Sequence, residues 1–550
     1  MAPTGSPALR AGSPPGVRGE PRARARGGPR FEHLGVAALA AALIAAWLIA
    51  QPRTPDLAAA TYRAQLFREA GFALWDARWY GGHDIPGYSL LFGPLSWLIG
   101  LRALAAVAAL ASALLFERIV TSVYGPRARW AAAWFAVAAV GDIWIGRVSF
   151  ALGVPFALAA VLALLRRHPW LAGLAAVLSA AASPVAGVLL ALAAAGHALG
   201  ERSSRALAPL VLAPAALVLA VVLLFPEGGF EPFPLLSFLA TAAVAVAFLL
   251  ALPRGHRALR SGGGLYLLAC VACLAVHTPV GSNVARFGVL LAGPMLLCAA
   301  LGERARLTAA RLLAVAAALC LTGVWVLWGP VRETAAVAGS ADTSAAYYAP
   351  VVRFFAVLGG PVRVEVPLTR SHWEAALLAP HVSLARGWEK QLEERYDGAV
   401  LTTPRPGAYD AWLRAQAVGY VALPDARLDG SSAGEGRLIR AGLPYLRPVF
   451  ASAHWRVYRV VGAVPLLTGP GVLEALGHDS FSLHARSAGS FLVRVHYSRY
   501  LGVGRGTACV GEAPGGWTSV RVRDAGEIVV RAGFTLTRAF AAGGACHTSG

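Results

Sequence analysis

Eleven apolar runs constrain this chain more than any other feature. They lie at 34–51, 103–121, 129–142, 148–165, 169–182, 184–199, 206–225, 235–252, 263–279, 283–302 and 307–328. A helix crossing the hydrocarbon core needs about 20 apolar residues, since backbone N–H and C=O groups in lipid must bond within the chain. The runs predict a polytopic α-helical membrane protein with about 11 transmembrane helices. Composition agrees: 14% of the 550 residues are charged, against roughly 25% in soluble domains.

The net charge of +20 would suit a nucleic-acid partner. The placement of the arginines excludes one. They fall in short connections at 1–33, 117–129, 166–168, 201–205, 253–260 and 303–311, whereas 142–146, 183–184, 226–234 and 279–282 are Arg-poor or acidic. The two classes alternate, and the positive-inside rule assigns the basic one to the cytoplasm. The chain therefore reads as a multi-pass protein of the cell membrane, with its N-terminus inside and everything after residue 330 outside. Runs 169–182 and 184–199, parted by Ser183-Pro184, are short. Read as one broken helix they would turn all the later arginine clusters outward, so two passes are assigned. Segment 86–101 is apolar, but Pro86, Gly87 and Pro94 break regular helix. Tyr88 and Trp97 suit a membrane interface, and the segment is read as interfacial or re-entrant.

Residues 1–33, rich in Pro, Gly, Ala and Arg, form a disordered basic cytoplasmic tail on this reading. The transmembrane domain covers 34–330, with an outer loop at 52–85. Polar residues rise after 330. Segment 405–424 predicts a helix and then a strand, VGYVALP, within an extracytoplasmic α/β domain at 331–465. From about 478, FSLHAR, SFLVRVHY and TSVRVRDAGEIVVRAGF alternate with period two. That is the pattern of antiparallel strands, and it predicts a β-sandwich-like module at 466–550. Cys270, Cys273, Cys298 and Cys320 sit in apolar runs as packing residues, while Cys509 and Cys546 are the candidate disulfide. No His/Cys cluster suggests zinc, and there is no G-x-S-x-G elbow or phosphate-binding glycine loop.

The loop 52–85 holds Asp56, Arg63, Arg68, Glu69, Asp76, Arg78, His83 and Asp84 within reach of a bilayer. Each charge would cost about 3 kcal/mol in hydrocarbon, so water, the interface or a protein-lined cavity must hold it. Trp75, Trp79, Tyr80 and Gly81-Gly82 point to a folded structure on the bundle mouth. Two further arginines stand where runs re-enter the membrane: Arg147 in GDIWIGRVSF and Arg286 in HTPVGSNVARFG. Such an Arg needs a partner. Asp142, Asp84, snorkelling to the interface or a lipid phosphate would each serve. His277 and Asn283 flank the same turn as Arg286.

An early span, an outer loop with an Asp a few residues on, the run G-x3-W-x3-W-x-G-G at 71–82, and PGYSLLFGPL at 86–95 resemble the GT-C superfamily of polytopic membrane glycosyltransferases. They also resemble related large bacterial membrane proteins of unassigned activity. The resemblance covers about 34–330 and implies a polyprenyl-phosphate sugar donor, an envelope glycan or protein acceptor and transfer on the outer face. It places Asp56 as base or metal contact, so a divalent metal ion is an implied cofactor. Many members set two acids side by side in that loop, whereas here Pro55 and Leu57 flank Asp56. Inverting transfer needs a carboxylate to deprotonate the acceptor and positive charge near the departing phosphate. Candidate bases are Asp56, then Asp76, Asp84 and Asp142. Candidate contacts to phosphate or sugar are Arg63, His83, Tyr88, Arg147, His277, Asn283 and Arg286. On this reading Asp56, His83, Arg147 and Arg286 line one outward-facing cavity.

Residues 370–398, RSHWEAALLAPHVSLARGWEKQLEERYDG, offer aromatic rings for stacking on sugars or, equally, an amphipathic surface helix with i,i+4 pairs. Two other functional readings stand beside the enzyme. A non-catalytic envelope protein would bind glycan or assemble with partners through 330–550. A transporter is the less favoured reading, since no inverted repeat is visible and mid-span charges are few, whereas transporters usually carry midplane sites in broken helices.

Overall fold

The computed structural model describes residues 34–540 except 203, 204, 304, 306, 402 and 403, together with 547 and 548. The basic tail 1–33 lies outside the described residues. Helix α1 (Leu34–Ala50) leads into α2 (Pro55–Ala70), bent from it by 81°. A hairpin of β1 (Trp75–Asp76) on β2 (His83–Asp84) follows, then α3 (Phe92–Ile99). The bundle continues with α4 (Leu101–Tyr124), α5 (Arg129–Ile145), α6 (Val148–Leu165), α7 (Pro169–Ala182) and α8 (Pro184–Glu201). It is completed by α9 (Ala208–Leu224), α10 (Leu235–Ala251), α11 (Arg257–Ala275), α12 (Ala285–Glu303) and α13 (Ala309–Val337).

Every apolar run read from the sequence coincides with a helix. Among the described residues, seven helices (α4, α5, α6, α8, α11, α12 and α13) are long and apolar enough to cross a membrane. Helices α7, α9 and α10 are shorter apolar helices. Ala172 near the start of α7 and Ala194 near the end of α8 share one cluster with Ala160 and Leu210. Helices α7 and α8 therefore fold back on each other and are not one broken helix. Helix α13 continues to Val337, nine residues past the apolar run, because Pro330 is accommodated inside it. Short α3 leaves Trp97 and Leu98 exposed.

The loop 52–85 is part of the core. Trp79 is fully buried, stacks on Tyr62 at 4.4 Å, and donates from Nε1 to the Ala375 carbonyl at 3.0 Å. Burial of such a ring contributes roughly 2–3 kcal/mol. Gly82 adopts φ +127° with Trp75 where a Cβ would stand, 2.4 Å from the ring, so only glycine fits this turn. Trp75 and Ala77 belong to the core of the C-terminal sandwich, and the loop thus joins all three parts of the molecule.

The α/β domain contains α14 (Ala345–Ala356), β3 (Arg363–Glu365), α15 (Glu374–Leu377), β4 (Ser383–Leu384), α16 (Lys390–Asp397), α17 (Pro406–Ala415), β5 (Tyr420–Pro424), α18 (Ala433–Arg440), β6 (Leu446–Ala451) and β7 (Trp455–Val460). Its sheet order is β4-β3-β5-β7-β6, parallel at β4-β3-β5 and antiparallel beyond. Segment 370–398 is not one amphipathic surface helix. It breaks into α15, β4 and α16, and Ser371, His372, Glu374 and Arg386 are buried, because it wedges between α2 and the sheet. His372 stacks on Trp388 at 3.4 Å, so these rings face each other within the domain.

The last module has strands β8 (Leu467–Thr468), β9 (Gly471–Leu476), β10 (Ser480–Ala485), β11 (Gly489–His496), β12 (Leu501–Arg505), β13 (Ala508–Ala513), β14 (Trp517–Val522) and β15 (Gly526–Ala532), then α19 (Leu536–Ala539) and β16 (His547–Thr548). Two antiparallel sheets, β12-β15-β10-β9 and β16-β13-β14-β11-β8, enclose alternate residues such as Phe481, Val493, Val510, Val520 and Val530. Cys509 on β13 is disulfide-bonded, and Cys546 lies outside the described residues. Cys270, Cys273, Cys298 and Cys320 are free.

Candidate functional site at the start of helix α2

Helix α2 begins with Pro55, whose missing N–H costs nothing in a first turn, and Asp56, whose charge suits the helix N-terminus. Thr54 donates from its hydroxyl to the Trp144 carbonyl at 3.1 Å, fastening this turn to the end of α5. Gly146, at φ +98°, ends α5, and a Cβ there would meet the Leu57 amide nitrogen at 2.3 Å. The contact sets Arg147 beside Asp56. Arg147 Nε lies 3.4 Å from Asp56 Oδ2, and Nη1 lies 3.6 Å from Asp142 Oδ1. Asp142 is buried while Asp56 and Arg147 keep access to solvent. Gly146→Ala should displace the first turn of α2. We expect stability to fall, by about 1–2 kcal/mol from the left-handed backbone alone and further from the clash with Leu57, read by thermal melting.

Arg286, in the first turn of α12, completes the group. The charges acting on it are Arg147, Asp56, Asp142 and Glu231. Its guanidinium stands over Phe150 at 5.1 Å, its Nε is buried without a hydrogen-bond acceptor, and it makes no ion pair among the described residues. Glu231, in the connection from α9 to α10, was not singled out by the sequence reading. Its amide donates to the Thr278 carbonyl at 3.0 Å, and its Oε1 accepts from Ser282 Oγ at 2.7 Å. Burial pushes its carboxyl above the ordinary glutamate range. The only available signal was that 226–234 is an acidic connection; no spacing ties it to residue 286.

Beneath Arg286 lies a cavity of about 110 Å³ walled only by apolar side chains, among them Phe135, Phe150, Val154, Leu189, Phe287 and Leu290. Phe150 belongs to both the arginine site and this cavity.

The other candidates stand apart from Asp56. Asp76 is fully buried and held by Tyr62 Oη at 2.7 Å and the Arg78 amide at 3.1 Å. His83 is buried between Trp79 and Tyr80, with Nδ1 3.2 Å from the Asp76 carbonyl. Burial, aided by the Arg63 charge, drives its pKa down to about 3, so the ring is neutral. His83 therefore does not line the cavity with Asp56, Arg147 and Arg286. Arg63 pairs with Glu389 of the α/β domain and lies over the Tyr88 ring at 3.8 Å. His277 is exposed against Phe230, and Asn283 is buried in the turn before α12.

Asp84 joins the transmembrane part to the sandwich. Its Oδ1 accepts from Ser498 Oγ at 2.9 Å, and its amide donates to Glu227 Oε2 at 3.0 Å. Burial, reinforced by Glu227, raises its pKa to about 7. The folded state thus favours the protonated acid. Its stabilising contribution is full below about pH 4, the ordinary Asp value, and is lost as pH rises through about 7. The melting temperature of Asp84→Asn should fall less than that of the parent between about pH 5 and 8.

A metal does not fit these residues. Asp56 and Asp142 both turn to the Arg147 guanidinium, Glu231 is engaged by Ser282, and no three His, Cys, Asp or Glu among the described residues are grouped to share an ion.

No protein-family profile matches the chain, and no curated protein matches it. Among solved structures, it is similar to two single-particle cryo-EM structures of arabinofuranosyltransferase AftD from Mycobacteria, two classes of one mutant. The first is 14% identical with a TM-score of 0.44, covering 92% of this chain and 60% of that one. The second is 17% identical with a TM-score of 0.40, covering 81% and 42%. The chain thus spans less than two thirds of the length of either.

Proposed function

We propose that the chain is a GT-C-like membrane glycosyltransferase, moving a sugar from a polyprenyl-phosphate donor to a cell-envelope acceptor on the outer face of the membrane. One observation carries the reading. Arg286, whose buried Nε has no hydrogen-bond acceptor and which makes no ion pair among the described residues, adjoins both a group of carboxylates and a wholly apolar cavity among α5, α6, α8 and α12. A lipid-linked sugar phosphate has that sequence of properties: an apolar tail, a charged phosphate and a polar sugar.

In this arrangement the apolar cavity takes the isoprene units nearest the phosphate, the rest of the tail lies in lipid, and the phosphate meets Arg286, whose planar fork suits phosphate oxygens. Asp56 takes the proton of the acceptor hydroxyl. The freed oxygen attacks the anomeric carbon from the face opposite the phosphate, and the carbon–oxygen bond to phosphate breaks. Polyprenyl phosphate leaves with the electron pair, its charge stabilised by Arg286 and Arg147. Asp142 holds Arg147 in place from its buried side. No step passes through a metal.

The test is to incubate the purified full chain with radiolabelled polyprenyl-phosphate sugars and envelope glycan acceptors. Label should enter the glycan as polyprenyl phosphate is released. Absence of turnover with every donor, together with unchanged cell-wall sugars and lipid-linked oligosaccharides in a strain lacking the chain, would overturn the reading.

A further inference from the structure

The C-terminal sandwich carries an apolar patch that a polar module in water would not keep. Phe534, Leu536 and Phe540 are 51%, 70% and 80% exposed. They are held outward by a rigid frame. Arg538 Nη1 donates to the carbonyls of Tyr500 and Gly533 at 3.2 and 3.3 Å, and Arg499 Nη1 donates to the Ala539 carbonyl at 3.1 Å. Thr535 caps the short helix by accepting from the Arg538 amide at 3.2 Å. The guanidinium groups are engaged with backbone, and the apolar side chains project.

The patch sits at the end of a bundle helix. Tyr500 Oη donates to the Leu224 carbonyl at 2.7 Å, in the last turn of α9. The Phe225 ring is 4.9 Å from Tyr500, and the Phe534 ring lies 5.9 Å beyond on the same tyrosine. Leu74, Phe225, Tyr500 and Ala539 form one small cluster with Val221 and Leu224 packed on it. On α9, Leu219, Val222 and Leu223 are exposed in the same two turns. The apolar surface of the sandwich therefore continues that of α9 at the end of the helix, and aromatic residues clustered at the end of an apolar helix suit the headgroup layer of a bilayer.

We propose that segment 533–540 is a membrane-docking tip: the sandwich rests on the leaflet beside α9, with Phe534, Leu536 and Phe540 inserted among lipid headgroups and upper acyl chains. The occupant is phospholipid. Continuity with α9 favours it over a protein, because any partner seated there would also have to displace lipid from the helix. A docked tip adds a lipid contact to the protein contacts that already seat the sandwich, Trp75 and Ala77 in its core, Asp84 on Ser498 and Tyr500 on α9.

The test uses the full chain in liposomes of phosphatidylglycerol and phosphatidylethanolamine. The photoreactive residue p-benzoylphenylalanine is placed at 536 or 540, or at exposed 472 on β9, the opposite edge of the sheet from β12. All three sites are on the surface, so the fold tolerates the probe. Lipid adducts should form at 536 and 540, with about tenfold less at 472. Phe534→Glu should reduce the yield at 540 several-fold. Equal yields at all three sites, or adducts chiefly to a second copy of the chain or to its own residues, would overturn the proposal. These readouts do not depend on glycosyl transfer.

Discussion

Asp56→Asn is expected to lower glycosyl transfer by about 10²–10⁴-fold, the range a positioned general base supplies. The substitution keeps the shape of the side chain at the start of α2, where Pro55 and the Thr54 bond to Trp144 hold the backbone independently of the carboxylate. The melting temperature should stay within about 2–3 °C of the parent, as for a partly exposed ion pair worth at most about 1 kcal/mol. Donor binding should persist, because Arg286 and the apolar cavity remain, so the loss should appear in kcat rather than KM. A variant that retained more than about a third of the parent rate would remove Asp56 from the role of base, whichever neighbour took it over.

Arg386→Met is expected to destabilise the α/β domain strongly. Arg386 is buried, donating from Nε to Glu365 Oε1 at 2.9 Å and from Nη1 to Ser432 Oγ at 3.1 Å, and it is paired with Glu435. Glu365, Glu435 and Asp397 are all fully buried, and Tyr409 donates to Glu435 Oε1 at 2.8 Å. Burial pushes the Glu365 and Asp397 carboxyls upward, and Arg386 is the charge that opposes this. Removing one partner of such a group costs about 3–5 kcal/mol because it leaves buried charge unmatched. In thermal melting this should lower the transition of the α/β domain by roughly 10 °C. Lower pH should shrink the difference, since protonation neutralises the stranded carboxylates; a difference that grew as pH fell would contradict this account of the cluster.

Some of the site was legible in the chain and some was not. Asp56, Arg147 and Arg286 stood out because each is a charge at the edge of an apolar run, where solvation makes a charge costly and so informative. The structure brings those three together with Asp142. Glu231 was hidden. Its nearness to Arg286 depends on how the connection before α10 meets the turn at Thr278 and Ser282, about fifty residues later. The loop charges Asp76, His83 and Arg63 looked as available as Asp56 in the sequence. Only packing shows that Tyr62, Trp79 and Glu389 engage them.

The sequence by itself determined the helical bundle, the order of its elements and the strand character of the last module. Hydrocarbon forbids an unbonded backbone and a half-buried sheet imposes period two, so both patterns are local and survive without knowledge of the fold. Tertiary structure alone decided which charges share a site, why 370–398 breaks into three short elements, and that 52–85 is core. Those outcomes rest on contacts between residues tens to hundreds of positions apart, and no local pattern encodes which of several buried partners a side chain will meet.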